Sequence, residues 1–198
     1  MNWAKKRAKY LPRDEKYDGI MIILTGPSGS GKSTITNKLK EDFGFTQPTQ
    51  FTTRKMRNES ELDEYVFLDK ETFLKKLMNW DFVEHTLYWD NFYWLGKYFK
   101  SDYNVCILDP IGREQVRAYC NKNNIKCVCV YLEIDKETLE YRLGMLRRED
   151  CNTIKKRLDD FFLFSPRGAD IVIDATVELK RVYANLITKL ERCGILER

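Results

Sequence analysis

The chain has 198 residues, of which 43% are apolar and 32% charged, and its formal net charge is +4. Such a composition is typical of a globular protein with one well-buried core. No apolar stretch approaches the roughly 20 residues that cross a bilayer, and the amino terminus lacks the apolar region of a secretory signal, so we expect a cytoplasmic protein without a membrane partner.

The first eighteen residues carry six basic and three acidic side chains, and this excess of positive charge predicts a solvated tail. A nucleic-acid partner for the tail is an alternative that the mild charge does not favour. The six cysteines contain no C-x-x-C pair and four fall in apolar or helical patterns, which predicts reduced thiols rather than disulfides or zinc ligands. His85 has no Cys or His cluster around it and receives no role.

Four short apolar runs rich in Ile, Val and Cys end at turn residues and are predicted to be buried strands: 20–24, 105–108, 125–132 and 171–173. Apolar residues at helical spacing lie between and after them, at Ile35, Leu39 and Phe43, at Val116 and Cys120, at Leu139 and Leu143, and from Leu179 to Leu190. Strands that alternate with helices predict an α/β fold, a parallel sheet with helices on both faces, whose ligands bind at the carboxyl ends of the strands.

Residues 45–100 interrupt this alternation and are rich in aromatic side chains. They contain one helical pattern, from Phe73 to Met78, after a capping Asp69. We interpret 45–100 as an inserted substrate-binding lobe, with 19–44 and 101–198 as the core.

The segment Leu24–Thr34, LTGPSGSGKST, follows the first predicted strand and precedes a predicted helix. It contains Gly-x-x-x-x-Gly-Lys-Ser, the phosphate-loop pattern, in which backbone N–H groups and a helix amino terminus hold a polyphosphate. Lys32 is expected to reach the β- and γ-phosphates and the Ser33 hydroxyl to bind Mg²⁺. The expected ATP-phosphate site comprises Gly26, Pro27, Ser28, Gly29, Ser30, Gly31, Lys32, Ser33 and Thr34.

A second motif, Thr52-Thr53-Arg54-Lys55-Met56-Arg57, is followed by Asp63-Glu64-Tyr65-Val66-Phe67. Together with the phosphate loop, these residues resemble the guanylate kinase family of nucleoside monophosphate kinases, and the resemblance extends from residue 19 through nearly the whole chain. It implies a P-loop core, a nucleoside-monophosphate lobe, a helical lid at about 142–158, and ATP with Mg²⁺ as phosphate donor and cofactor.

The resemblance assigns the acceptor phosphate to Arg54, Arg57, Tyr65 and Tyr93. Guanidinium groups suit this role because they bind phosphate through paired hydrogen bonds at fixed charge. It assigns binding of the acceptor's base to Gln50, Glu84 and Asp109. Glu84 is expected to end a strand over 82–84. The alternatives for Asp109, a water-mediated contact to Mg²⁺ or a cap for a helix over 112–121, stay open.

For the lid, the resemblance implies catalytic arginines at Arg142 and Arg157, which are 15 residues apart as in the family. Leu146 occupies the place of a third, so Arg147 or Arg148 is expected to replace it, and we favour Arg147. Arginines that close over the reacting phosphoryl group act strongly because water has been excluded.

The sequence departs from the family pattern at residues expected to bind or lie near the nucleotide base. Gln50 stands where a serine is usual, and Trp94 and Leu95 stand where the family has a glycine and a Ser or Thr. Asp174 likewise replaces an asparagine on the adenine side. Transfer to GMP or dGMP is therefore the first expectation, and a kinase for another deoxynucleotide, a modified nucleotide or a base in a polynucleotide is an alternative. A non-catalytic protein-binding module is another, although the intact phosphate loop argues against it. Oligomeric state is not indicated.

Overall fold

A computed structural model describes residues 19–56, 59–63, 65–78, 82–88, 91–96 and 102–196. The predicted basic tail, 1–18, lies outside these residues. Within the part described, no helix has the length and apolarity needed to cross a membrane.

The described residues form eight strands: β1 (Ile20–Thr25), β2 (Gln50–Thr52), β3 (Tyr65–Phe67), β4 (Phe82–Tyr88), β5 (Asn91–Gly96), β6 (Tyr103–Ile107), β7 (Lys126–Glu133) and β8 (Ile171–Asp174). The helices in the same residues are α1 (Lys32–Phe43), α2 (Lys70–Met78), α3 (Pro110–Lys122), α4 (Lys136–Tyr141), α5 (Cys151–Asp159) and α6 (Leu179–Arg192). A π-helical turn covers Arg142–Leu146, and 3₁₀ turns cover Glu59–Asp63 and Asp160–Leu163.

The core sheet has the strand order β6-β1-β7-β8, and every pair in it is parallel. Side chains alternate between its faces because a strand repeats every two residues. Ile22 and Leu24 of β1 pack in the cluster that includes residues of α1 and α6, whereas Met21 and Ile23 pack with residues of α3. The four strands and the two-sided helical packing confirm the α/β fold expected from the sequence.

Residues 50–96 form a second sheet of order β3-β2-β5-β4, in which β2 and β3 are parallel and the other pairs antiparallel. Trp94 of β5 stacks on Phe51, with ring centroids 4.9 Å apart, and meets the edge of Phe73 of α2. Leu95, the next residue, is fully buried in the same cluster as Met21 of the core sheet. The second sheet is thus packed directly against the first.

Capping residues end or begin the helices where the sequence suggests. Gly44 ends α1 in a left-handed conformation, with φ of 69°, and the Asp109 side chain accepts hydrogen bonds from the first turn of α3. Asp69 accepts from the backbone N–H of Thr72 at 2.7 Å in the first turn of α2. One boundary was wrong: the strand expected to end at Glu84 continues to Tyr88, because β5 pairs with it along that whole length.

The cysteines do not form disulfides. All six are free, with Cys106, Cys120 and Cys129 buried and Cys127 partly buried. Burial raises the pKa of the Cys106 thiol well above its ordinary value, which keeps it in the unreactive neutral form. These side chains therefore act as small apolar residues of the core.

Candidate active site

The loop after β1 carries glycines that face two different environments. Gly29 and Gly31 have φ of 104° and 100°, values that side-chain-bearing residues rarely adopt. A Cβ on Gly29 would lie 2.7 Å from Cδ1 of Leu139, whereas a Cβ on Gly31 would meet nothing within 4 Å. The loop thus packs tightly against α4 at Gly29 and leaves open space at Gly31, beside the amino terminus of α1.

Lys32, the first residue of α1, folds back over this loop. Its ammonium group donates to the carbonyl oxygens of Gly26 and Pro27, at 2.7 and 2.8 Å. Burial, followed by the nearby positive charges of Arg147 and Arg157, lowers the pKa of Lys32 to about 7. Three cations therefore converge on the loop, and an anion bound there would stabilise the charged form of the lysine.

Three hydroxyl side chains of the predicted phosphate site differ in their surroundings. Ser33 and Thr34 are exposed on the first turn of α1. Ser30 is buried, and its Oγ has no hydrogen-bond partner among the described residues. The exposed Ser33 hydroxyl lies at the helix end that follows the open loop, which is compatible with its predicted contact to a cation.

Arg157 of α5 reaches from the lid to the phosphate loop, where its Nη1 donates to Oγ of Ser28. Its Nε also pairs with Oε2 of Glu149 at 2.6 Å, and Nη1 of Arg147 lies 3.6 Å from Oε1 of the same glutamate. Glu149 therefore holds two lid arginines beside the loop, in the way that a bound phosphate would.

The π-helical turn gives a physical reason for the position of Arg147. The backbone N–H of Arg147 donates to the carbonyl oxygen of Arg142 at 3.0 Å, a bond across five residues instead of four. A turn with one extra residue rotates the side chains that follow it. Arg147 thus comes within electrostatic reach of Lys32, whereas Leu146 is largely exposed.

Arg142 has different partners from the other two lid arginines. Its Nη2 donates to the carbonyl oxygens of Ala175 and Val177, at 2.7 and 3.4 Å. These carbonyls belong to the loop after β8, so the guanidinium group ties the lid to that loop. The structure does not bring Arg142 together with Lys32 and Arg157.

The side chains expected to hold the acceptor phosphate meet in the second sheet. Arg54 forms a two-point ion pair with Glu61, at 2.9 and 3.0 Å, and its guanidinium lies 5.6 Å from the Tyr65 ring centroid. Tyr93 forms a side-chain hydrogen bond with Arg54 and packs edge-on against Tyr65. Arg57 lies outside the described residues.

The expected base-binding side chains lie at the junction of the two sheets. Glu84 is only 3% exposed; burial, with a smaller contribution from the charge of Asp109, raises its pKa to about 8. Asp109 uses Oδ1 to accept from the N–H groups of Ile111 and Gly112, at 2.8 and 2.9 Å. The helix-capping role of Asp109, one of the alternatives left open, is therefore present in the structure.

Gln50 completes this group from the first position of β2. It is 7% exposed, and its Nε2 donates to the carbonyl oxygen of Ile107 at 3.3 Å. Its Oε1 is buried and has no partner among the described residues. Gln50 of β2 and Glu84 of β4 thus lie on either side of β5, where both pair with Leu95, and both line the junction of the two sheets.

One cavity of about 280 Å³ joins these groups. It is lined by Gly26, Ser28, Lys32, Gln50, Tyr65, Glu84, Thr86, Tyr93, Trp94, Ile107, Leu108, Asp109 and Phe164. The phosphate loop therefore opens into the same space as the buried carboxyl group, the arrangement that a two-substrate site requires.

Sequence reasoning missed the acidic partners of the arginines. Glu61 and Glu149 stand seven and two residues after Arg54 and Arg147, and an acidic residue in a charged segment is no signal by itself. Phe164 was also missed, although its ring lies 5.9 Å from the Lys32 ammonium and lines the cavity. Only the folded chain brings these residues to the site.

Comparisons with known proteins agree with this geometry. The sequence model of the guanylate kinase family matches residues 19–161. The guanylate kinase of Fusobacterium nucleatum is 32% identical over 147 residues, 71% of this chain and 78% of that protein. Human guanylate kinase is 29% identical over 199 residues, 87% of this chain and 96% of that protein.

The crystal structure of guanylate kinase from Anaplasma phagocytophilum superimposes with a TM-score of 0.63 and 22% identity, over 92% of this chain and 89% of that one. At this identity the structural likeness concerns the fold. The sequence comparisons thus point to the guanylate kinase family, and the structural comparison shows the same fold.

Proposed function

We propose, from the premise that the chain belongs to the guanylate kinase family of nucleoside monophosphate kinases, that it transfers the γ-phosphoryl group of ATP to a nucleoside monophosphate. The phosphate of the nucleoside monophosphate accepts the group. GMP and dGMP are the first expected acceptors. The products are ADP and the nucleoside diphosphate.

The observation that carries this proposal is the single cavity shared by two kinds of anion site. Lys32 and Ser28 of the phosphate loop line one part of it, and Tyr65 and Tyr93, which contact Arg54, line another. A donor triphosphate at the first and an acceptor phosphate at the second would face each other across the same space. Positioning of this kind supplies most of the catalysis that phosphoryl transfer needs.

In the proposed reaction, an oxygen of the acceptor phosphate attacks the γ-phosphorus of ATP while the bond to the β-phosphate oxygen breaks. No side chain acts as nucleophile, because the acceptor oxygen is already ionised near neutral pH. Lys32 leaves the Gly26 and Pro27 carbonyls for the phosphate oxygens and keeps its proton there. Arg147 and Arg157 release Glu149 and bind the transferring phosphoryl group. Their positive charge stabilises the negative charge that develops there.

The residues fit the Mg²⁺ ion that the resemblance implies. No group of three or more His, Cys, Asp or Glu side chains within the described ranges could hold a metal by itself, but a magnesium ion at a phosphate loop takes much of its oxygen shell from the nucleotide and from water. Ser33 would contribute its exposed hydroxyl. The ion would neutralise charge between the β- and γ-phosphates.

A coupled assay for ADP release tests the proposal. The purified chain is incubated with ATP, Mg²⁺ and, in turn, GMP, dGMP and the other ribo- and deoxynucleoside monophosphates. We expect acceptor-dependent ADP release, and Lys32→Ala should lower it by about a thousandfold or more, since a preorganised charge at the phosphoryl group is removed. Near-normal turnover in Lys32→Ala would reject the mechanism.

The same preparation distinguishes the kinase from a non-catalytic protein-binding module. A folded chain that binds no ATP in calorimetry would favour the module. The retained loop glycines, Lys32 and the arginines facing them support the kinase.

A further inference from the structure

We propose that the Phe164 ring forms an apolar wall beside the transferring phosphoryl group, where it keeps water from taking the place of the acceptor phosphate. Phe164 thereby keeps transfer coupled to the acceptor and limits hydrolysis of ATP. The inference rests on the proposed function in taking Lys32 as a ligand of the reacting phosphates. It gives a role to a residue to which the family resemblance assigns none.

The first observation is where the ring lies. Its centroid is 5.9 Å from the Lys32 ammonium nitrogen, and Phe164 lines the cavity together with Lys32 and Ser28 of the phosphate loop. The same cavity reaches Tyr65 and Tyr93 on the acceptor side. A ring at this place therefore borders the space in which the γ-phosphoryl group would pass from one phosphate to the other.

The second observation is how the ring is held. Phe164 follows the 3₁₀ turn Asp160–Leu163, which continues the lid helix α5, and its backbone N–H donates to the carbonyl oxygen of Phe161 at 3.2 Å. Phe161 packs against the buried cluster that contains Leu139, and the phosphate loop packs against Leu139 at Gly29. The lid and the phosphate loop therefore position the ring through shared apolar contacts.

The third observation concerns the rest of the cavity wall. Its other large apolar side chains, Trp94, Ile107 and Leu108, come from the two sheets and the residue after β6. Among the described residues that line the cavity, Phe164 is the only one that the segment after the lid helices supplies. Burial is the largest cause of the lowered pKa of Lys32, as expected where an apolar ring stands in place of water.

The reaction that the wall opposes is hydrolysis of ATP. A water oxygen forms a bond to the γ-phosphorus while the bond to the β-phosphate oxygen breaks. ADP and inorganic phosphate leave; one water proton stays on the phosphate and the other goes to solvent. Water competes with the acceptor because the charges of Lys32, Arg147 and Arg157 would stabilise either transition state. Exclusion of water from a closed site prevents such side reactions.

Phe164→Ala tests the wall through the ratio of two products, inorganic phosphate and nucleoside diphosphate, formed from γ-labelled ATP with Mg²⁺ and a saturating acceptor. We expect the variant to raise this ratio about tenfold or more, since the lost ring leaves room beside the phosphoryl group for water, which needs about 30 Å³ per molecule. Phe164→Leu keeps an apolar wall and should stay close to wild type. A merely structural role of Phe164 would lower both products together.

Phe162→Ala is the matched control. Phe162 lies two residues before Phe164, and its ring centroid is also 5.9 Å from a lysine ammonium nitrogen, that of Lys136. Its side chain is 77% exposed and does not line the cavity, so the control should leave the ratio unchanged. Where Phe164→Ala does not fold, Phe164→Gln supplies the same test, because it puts polar atoms that hold water into the wall.

The outcomes separate this inference from the proposed function. If nucleoside diphosphate forms but its ratio to inorganic phosphate does not respond to Phe164→Ala, or responds equally to Phe162→Ala, the kinase stands and the wall is wrong. A ratio raised as much by Phe164→Leu as by Phe164→Ala also overturns the wall. If no acceptor yields a nucleoside diphosphate, the proposed function fails. Faster acceptor-free hydrolysis in Phe164→Ala would then support the wall, and an unchanged rate would overturn it.

Discussion

The buried carboxyl group of Glu84 makes the stability of the protein depend on pH, and Glu84→Gln measures the effect. The pKa of Glu84 rises from 4.5 to about 8 when the chain folds, chiefly through burial. Between these two values the folded chain binds more protons than the unfolded chain, so the free energy of unfolding falls as pH rises. A glutamine keeps the shape, can accept from the Leu95 N–H, and does not titrate.

The magnitude follows from the two pKa values. One pKa unit corresponds to about 1.4 kcal/mol, so ionisation of the buried Glu84 in the folded chain would cost about 5 kcal/mol. The amino terminus of α3 beside the carboxyl group favours the charged form and offsets part of this cost. We therefore expect wild type to lose about 2 to 3 kcal/mol relative to Glu84→Gln between about pH 5 and about pH 8.5.

Urea unfolding at a series of pH values gives this difference, and comparison with the variant cancels the titration of Lys32 and of other groups. Glu71→Gln is the control, because Glu71 is 78% exposed on α2 and its removal should produce a nearly constant difference across the same range. A difference between wild type and Glu84→Gln that does not change with pH would refute the buried, protonated state of Glu84.

Three further predictions concern the anion sites and the phosphate loop. Arg54→Met should raise KM for the acceptor by about tenfold or more and leave KM for ATP nearly unchanged, because a charged hydrogen bond to phosphate is worth about 1.5 to 3 kcal/mol; equal changes in both constants in steady-state kinetics would contradict its assignment. Arg157→Met should lower kcat more than it changes KM for ATP, by about a hundredfold, as expected of a charge that acts on the transferring group; an unchanged kcat would remove it from the mechanism. Gly29→Ala should destabilise the chain by about 2 to 4 kcal/mol in urea, from the left-handed backbone together with the clash at Leu139. Gly31→Ala should cost only about 1 to 2 kcal/mol, since the backbone strain is similar and the space is open; equal losses would mean that the contact with α4 is unimportant.

Local sequence patterns determined the core strands, the helix caps and the phosphate loop of this protein. The runs of β-branched residues, the capping Asp69 and Asp109, and Gly44 act over a few residues, and their elements lie close to where the patterns predict them. The phosphate loop is local for the same reason, because glycine dihedral angles and a helix amino terminus create the site within a single turn of chain. A parallel sheet then brings that loop to the carboxyl edge, beside Asp109.

Tertiary structure decided what could not be inferred from neighbours in the chain. Arg142 was expected over the phosphates, yet its guanidinium donates to the Ala175 and Val177 carbonyls, more than thirty residues away. The proton on Glu84 and the orientation of the Gln50 amide depend on burial and on the Ile107 carbonyl of another sheet. Charge state and hydrogen-bond direction are set by the surroundings in space, because desolvation and the nearest partner determine the energy of a buried polar group.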